Sequence, residues 1–207
     1  MKKFMFVLFA VFLTGCAAGN KYNYQSSSMS LPIKPVDHKT LILSVEDFRP
    51  YVLNGDKEPN FVGLQRGGFG NPFDVTTSTG KPMTEDMSAA IVKGLMDIGY
   101  RVVNVKDKPG KVYLVSSAAK EGAARIVVLK VYDWKSDIYM SMKLHCDLRL
   151  SVFDASGKLL AENTMKFSRE ISGAHMGAAK NSEAAADEFA KQIGYLFNKE
   201  EVRDALR

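Results

Sequence analysis

Cysteine is scarce in this chain, with only Cys16 and Cys146 among 207 residues. At most one disulfide can form, which excludes the small secreted scaffolds that are stapled by several. Histidine is nearly as rare. His38, His145 and His175 lie far apart in sequence, so no cluster with zinc-ligand spacing is present. His145 and Cys146 stand side by side like a base and its nucleophile, but neighbouring side chains on a strand leave opposite faces. The imidazole therefore cannot reach that thiol, and Cys146 is expected to be a buried, inert core residue. Long apolar runs are missing too. The one charge-free stretch at the N-terminus, Phe4 to Leu13, is too short to cross a bilayer. Neither sign of charge dominates: 28 Lys and Arg stand against 23 Asp and Glu, a net of +5, and the cations are scattered. That distribution argues against a nucleic-acid partner. No arrangement offers a nucleophile with a base, so the expectation is a non-enzyme without cofactor or metal.

What is present begins at the N-terminus. Lys2 and Lys3 precede the apolar run, and Leu13-Thr14-Gly15-Cys16 closes it. This order of charge, apolar length, small residues and Cys is that of a secretory signal, and its last four residues resemble the lipobox of bacterial lipoproteins. The resemblance implies that the Cys16 thiolate takes a diacylglyceryl group, that the bond before it is cut, and that the new amino terminus is acylated, with palmitate as a typical chain. Several acyl chains anchor a protein far more firmly than one. Ala17 follows, not Asp, which resembles the type sorted to the outer membrane and facing the periplasm; inner-membrane retention and surface display are the alternatives. Residues 1–15 thus form a signal peptide, residues 16–30 a lipidated anchor with a flexible tether, and residues 31–207 one domain with a sizeable core. The tether reading rests on the small polar residues around Ser26-Ser27-Ser28.

Within the domain, Leu41 to Val45 reads as a first strand. Residues 51–80, rich in glycine, read as a long loop with a short strand at Asp74 to Thr77. The spacing of Met87, Ala90, Ile91, Gly94, Leu95 and Ile98 predicts a helix with Thr84 as N-cap and Gly99 as its stop. Tyr100 to Val105 follows as a second strand, which implies a parallel pair with a right-handed crossover. Val112 to Gly122 favours a short helix, and Ile126 to Val131 is a nearly continuous apolar strand. Leu144, Cys146, Leu148, Leu150 and Val152 alternate with polar residues, so one face of that strand is core and one is wet. Asp154 to Lys158 turns the chain, Leu159 to Ile171 returns antiparallel, and Ala184 to Phe197 is helical. The fold class is α/β with α+β mixture: a single mixed sheet, a strand-helix-strand crossover, a long C-terminal hairpin, and helices packed on the sheet.

This layout is similar to the YajG-type bacterial lipoproteins. The likeness rests on the lipobox, a strand ending in Asp47-Phe48-Arg49, a glycine-bearing loop, a helix closing on Gly99-Tyr100, and a hairpin turning at Gly157-Lys158. The short helix at Val112 to Gly122 looks more like the curli-secretion lipoprotein and other small envelope lipoproteins. The resemblance implies an α/β domain without known catalysis, and hence no catalytic residues to carry over.

Arg66-Gly67-Gly68-Phe69-Gly70 lacks the strand-to-helix setting of a phosphate-binding loop. Asp47, Asp133 and Asp137 lie near strand ends, where carboxylates are most often solvated or capping. Phe61, Phe69 and Phe73 must either fold back on the domain or meet a partner, with Phe73 expected buried and Phe69 exposed. Tyr132 and Trp134 fall on one face of a strand. The function expected is a lipid-anchored, periplasm-facing binding or assembly module held to the membrane by Cys16 and engaging another envelope protein. The alternative is a carrier of a small amphiphile held between sheet and helices.

Overall fold

The computed structural model describes residues 19–34, 38–171 and 177–207. Its spine is β6 (Arg125–Ile138), which pairs antiparallel along its length with β7 (Met142–Asp154), itself paired antiparallel with β8 (Leu159–Ile171). The other edge of β6 is shared. Its first half takes β2 (Thr40–Asp47) in parallel, and its last three paired positions take β3 (Phe61–Arg66), also parallel. Outside β2 lies β5 (Arg101–Val105), parallel to it; outside β3 lie β4 (Pro72–Thr77), antiparallel, and then β1 (Lys21–Tyr22), parallel to β4. The result is one mixed eight-stranded sheet. The α/β class, the parallel β2/β5 pair and the long hairpin are as the sequence predicted.

Helix α2 (Met83–Asp97) makes the crossover to β5, and α4 (Ala178–Phe197) and α5 (Glu200–Leu206) complete the same layer. Leu144, Cys146, Leu148, Leu150 and Val152 all point into this main core, as the period-two pattern requires. The second face carries α3 (Lys111–Glu121), whose Leu114 and Ala118 pack on Ile42, Ile126 and Val128 in a smaller cluster. Gly122 ends α3 in the left-handed conformation at φ 63°, where glycine has no steric penalty. Helix α2 starts two residues earlier than its Thr84 suggested: Pro82 is the N-cap, and the Met83 amide donates to the Pro59 carbonyl instead of to a side chain.

Three expectations need correction. The segment assigned to a flexible tether is folded from Gly19 onward. Tyr22 and Tyr24 are buried, the Tyr22 and Ser136 hydroxyls are 3.0 Å apart, and the Trp134 indole N–H donates to the Tyr24 hydroxyl at 2.9 Å. Tyr24 also meets Trp134 and Phe189 edge-on, with ring centroids 6.3 and 5.6 Å apart. Two aromatics in a polar stretch were enough to fold it back, because burying each outweighs the entropy of ordering small serines. Secondly, residues 51–80 are not a loop but a one-turn α1 (Pro50–Leu53) and the β3/β4 hairpin. Gly63 is required there by close approach, since a Cβ would lie 2.6 Å from the Ser136 carbonyl oxygen. Thirdly, Tyr132 and Trp134 lie on opposite faces. The register shift between Val131 and Asp133 makes Tyr132 the extra residue of a β-bulge, so the alternation resets and Trp134 joins the main core.

Beyond β2 the chain is fixed by a buried ion pair. Arg49, which is 0% exposed, donates from Nε to Asp47 Oδ1 at 2.9 Å and from Nη2 to Asp47 Oδ2 at 2.7 Å, and its other N–H groups reach the carbonyls of Pro59 and Phe61. Removing the guanidinium would leave Asp47 without its partner and take from the buried Phe61 carbonyl the N–H that reaches it, whereas the Pro59 carbonyl keeps the Met83 amide. Arg49→Met should therefore cost about 3 to 5 kcal/mol in urea unfolding, far more than a surface pair would. Tyr24→Ala should cost about 3 to 5 kcal/mol as a buried aromatic truncation, whereas a tether residue would cost nothing measurable.

Candidate functional site

A groove lies under α3, on the sheet face away from the main core. Its floor is apolar, formed by Leu114, Val115, Ile126, Val128, Phe153 and Leu159, and it encloses about 500 Å³. This falls within the size range of small-ligand sites. The groove exists because α3 covers only β2 and the start of β6, leaving the adjoining apolar positions of β7 and β8 uncovered. Leu159 reaches it through the register shift that sets Phe153 opposite Leu159.

The rim is charged. Lys108, Lys111, Lys130 and Arg149 line it together with two carboxylates, Glu46 and Glu162. The Phe48 ring is the pivot, with Lys108 Nζ 4.8 Å and Lys130 Nζ 5.0 Å from its centroid and Tyr132 packed at 5.7 Å. Arg149 in turn lies over Tyr132 at 5.6 Å and 3.9 Å from Glu162. Burial pushes the Glu46 carboxyl above the usual carboxylate range, opposed by Lys130, the Ser44 hydroxyl and Lys108. Asp107 and Lys108 both adopt positive φ, 67° and 48°, a conformation that costs roughly 1 to 2 kcal/mol for an ordinary residue. The strained pair turns the loop before α3 back over the groove and brings the Lys108 ammonium onto Phe48.

The predicted site residues are dispersed. Cys16 lies outside the described residues, as does His175. Phe61 is buried, 5.5 Å from the Tyr51 ring, so it is a core residue and cannot be a partner contact. Phe73 is half-buried and covers the Gly67 backbone. Phe69 alone is fully exposed, at the turn of the β3/β4 hairpin. The Arg66 to Gly70 segment joins two antiparallel strands, closed by the Gly67 and Asn71 backbones, and does not open into a helix. The acids near strand ends are paired: Asp47 with Arg49, Asp137 with Arg66 at 2.7 Å, and Asp133 accepting from the Tyr51 hydroxyl at 3.0 Å. His145 faces Ser168 at 3.1 Å, while burial pushes the Cys146 thiol on the other face up to about 12. Among the described residues, no group of three or more His, Cys, Asp or Glu side chains could hold a metal, and no helix is long and apolar enough to cross a membrane.

The groove itself was missed from sequence. Its signal was there in part: Lys130 interrupts an apolar strand, and Phe48 sits inside the Asp-Phe-Arg motif. The contact between them required the fold.

No protein-family model matches the chain, and no curated protein does. Its fold is similar to that of XCC0632, a DUF330 protein from Xanthomonas campestris, with a TM-score of 0.53 and 12% identity over 86% of this chain and 95% of that one. Weaker likenesses are to the PelC dodecamer from Paraburkholderia phytofirmans, at TM-score 0.41 and 14% identity over 83% and 96% of the two chains, and to lipoprotein GNA1162 from Neisseria meningitidis, at 0.37 and 10% over 76% and 99%. At these identities the first establishes a shared fold, and the other two carry no argument about function.

Proposed function

We propose that this chain is a lipid-anchored, periplasm-facing module of the outer membrane, YajG-like in type, that binds another envelope component and performs no catalysis itself. The observation that carries this reading is the groove under α3, where an apolar floor meets a rim with four cations and two carboxylates. An open groove of this kind suits an extended or helical segment with apolar side chains to fill the floor and acidic ones to meet Lys108, Lys111 and Arg149. The volume of the floor favours one second reading, a small anionic amphiphile whose chain lies on Val128 and Phe153 and whose head meets the same cations.

A photo-crosslinking residue at Val115 or Leu159, used in intact cells with mass spectrometry of the adducts, separates the two. A protein adduct is expected. A lipid adduct supports the amphiphile, and adducts found only from faces outside the groove overturn it as the site. Lys108→Glu with Lys111→Glu should weaken capture more at low salt than at high salt, with the melting temperature unchanged. The anchor has its own check: Cys16→Ala should take up no labelled palmitate and keep its signal segment, and label entering that variant would overturn the lipobox reading.

A further inference from the structure

The sheet has two ends, and the groove occupies only one of them. At the other, two hairpins project side by side. β3 runs parallel to β6 with Gly63 opposite Ser136 and Gln65 opposite Ile138, so the β3/β4 turn and the β6/β7 turn leave the sheet next to each other. The Arg66 to Asp137 bridge, with N···O contacts of 2.8 and 2.7 Å, ties the two together. Their apices carry large apolar side chains that nothing in the domain covers: Phe69 is 100% exposed, Met140 83% and Tyr139 57%. Isolated exposed apolar residues are ordinary, but three on adjacent turns form a single contact surface.

The path of the N-terminal segment shows what this surface meets. β1 runs parallel to β4, with Lys21 opposite Thr76 and Tyr22 opposite Thr77. Tracing the chain backwards therefore leads toward the start of β4 and its turn. Gly19 is already level with Asp74, so close that a Cβ there would overlap the Asp74 carbonyl. Cys16 is three residues earlier, at most about 11 Å from Gly19 even if fully extended. The groove floor, by contrast, is roughly 30 Å from the tips along β6. The acyl anchor is thus confined to the end of the sheet that carries Phe69, Tyr139 and Met140.

We propose that these two hairpin tips are a membrane-docking surface: Phe69 and Met140 enter the edge of the bilayer that holds the acyl chains, and Tyr139 lies at headgroup level. This rests on the lipid-anchor reading. Tyrosine suits that depth because its ring is apolar and its hydroxyl wet. The charges nearby are of both signs: Arg66 is paired with Asp137, and Lys143 stands opposite Glu170 in the β7/β8 register. The contact is therefore apolar, and it does not depend on anionic lipid. Docking at the anchored end and at the two tips fixes the orientation of the domain and turns the groove toward the periplasm.

Trp134 is buried in the core and gives a constant background, so introduced tryptophans report on their own positions. Phe69→Trp, Met140→Trp and, as a control on α3, Val112→Trp would each be made in the full chain, purified from membranes and reconstituted in zwitterionic phosphatidylcholine vesicles. Intact mass first establishes whether Cys16 is acylated. With acyl chains brominated near the interface, emission from positions 69 and 140 should fall roughly twofold, as expected for groups seated 5 to 10 Å into the bilayer, with no change at 112 and no dependence on salt. An acylated chain with positions 69 and 140 unquenched, or quenched no more than 112, overturns the docking surface and leaves the anchor standing. A chain without acyl groups overturns the anchor, and the docking surface with it.

Discussion

The bidentate contact of Arg49 with Asp47 is the constraint on which the architecture turns. The Arg49 guanidinium sits out of water, and its desolvation is offset by the Asp47 carboxylate together with the carbonyls of Pro59 and Phe61. That arrangement decides where the chain goes after β2. The β3/β4 hairpin is joined to the rest of the sheet by a short parallel ladder with β6, ending at Gln65 opposite Ile138, which by itself is a weak attachment. Holding the start of β3 from below makes the ladder form in one register. Because Phe48 lies between Asp47 and Arg49 and faces the other way, the same pair aims its ring into the groove.

The β-bulge at Tyr132 has a comparable reach. Without it, Trp134 would share a face with Val128 and Lys130 and could not meet Tyr24 and Phe189. With it, one strand serves two surfaces in succession: its first half supplies the groove floor, its second half the aromatic core that draws in the N-terminal segment. The bulge costs a ladder position, and the buried indole with its hydrogen bond to Tyr24 compensates.

The two ends of the sheet thereby differ in character. One presents an apolar floor edged by cations; the other presents exposed apolar turns tied together by the Arg66 to Asp137 bridge. The N-terminal strand lies along β4 and leads to the second end.

Periodicity made much of the fold legible in the residues. The alternation from Leu144 to Val152 identified a half-buried strand, and the spacing from Met87 to Ile98 identified a helix, because each pattern depends only on neighbours within a few positions. What the residues could not show was decided at long range. Tyr24 reads as part of a polar linker until Trp134 and Phe189 are placed around it. Phe61 and Phe69 look alike in sequence, yet one packs against Tyr51 and the other is exposed on the β3/β4 turn. The groove joins Glu46, Lys108, Val128 and Arg149, which come from different segments. Local sequence thus determined most of the elements and their order, whereas which side chains share a surface was decided only by tertiary packing, since strand order, a bulge and a buried ion pair set contacts that no sequence window contains.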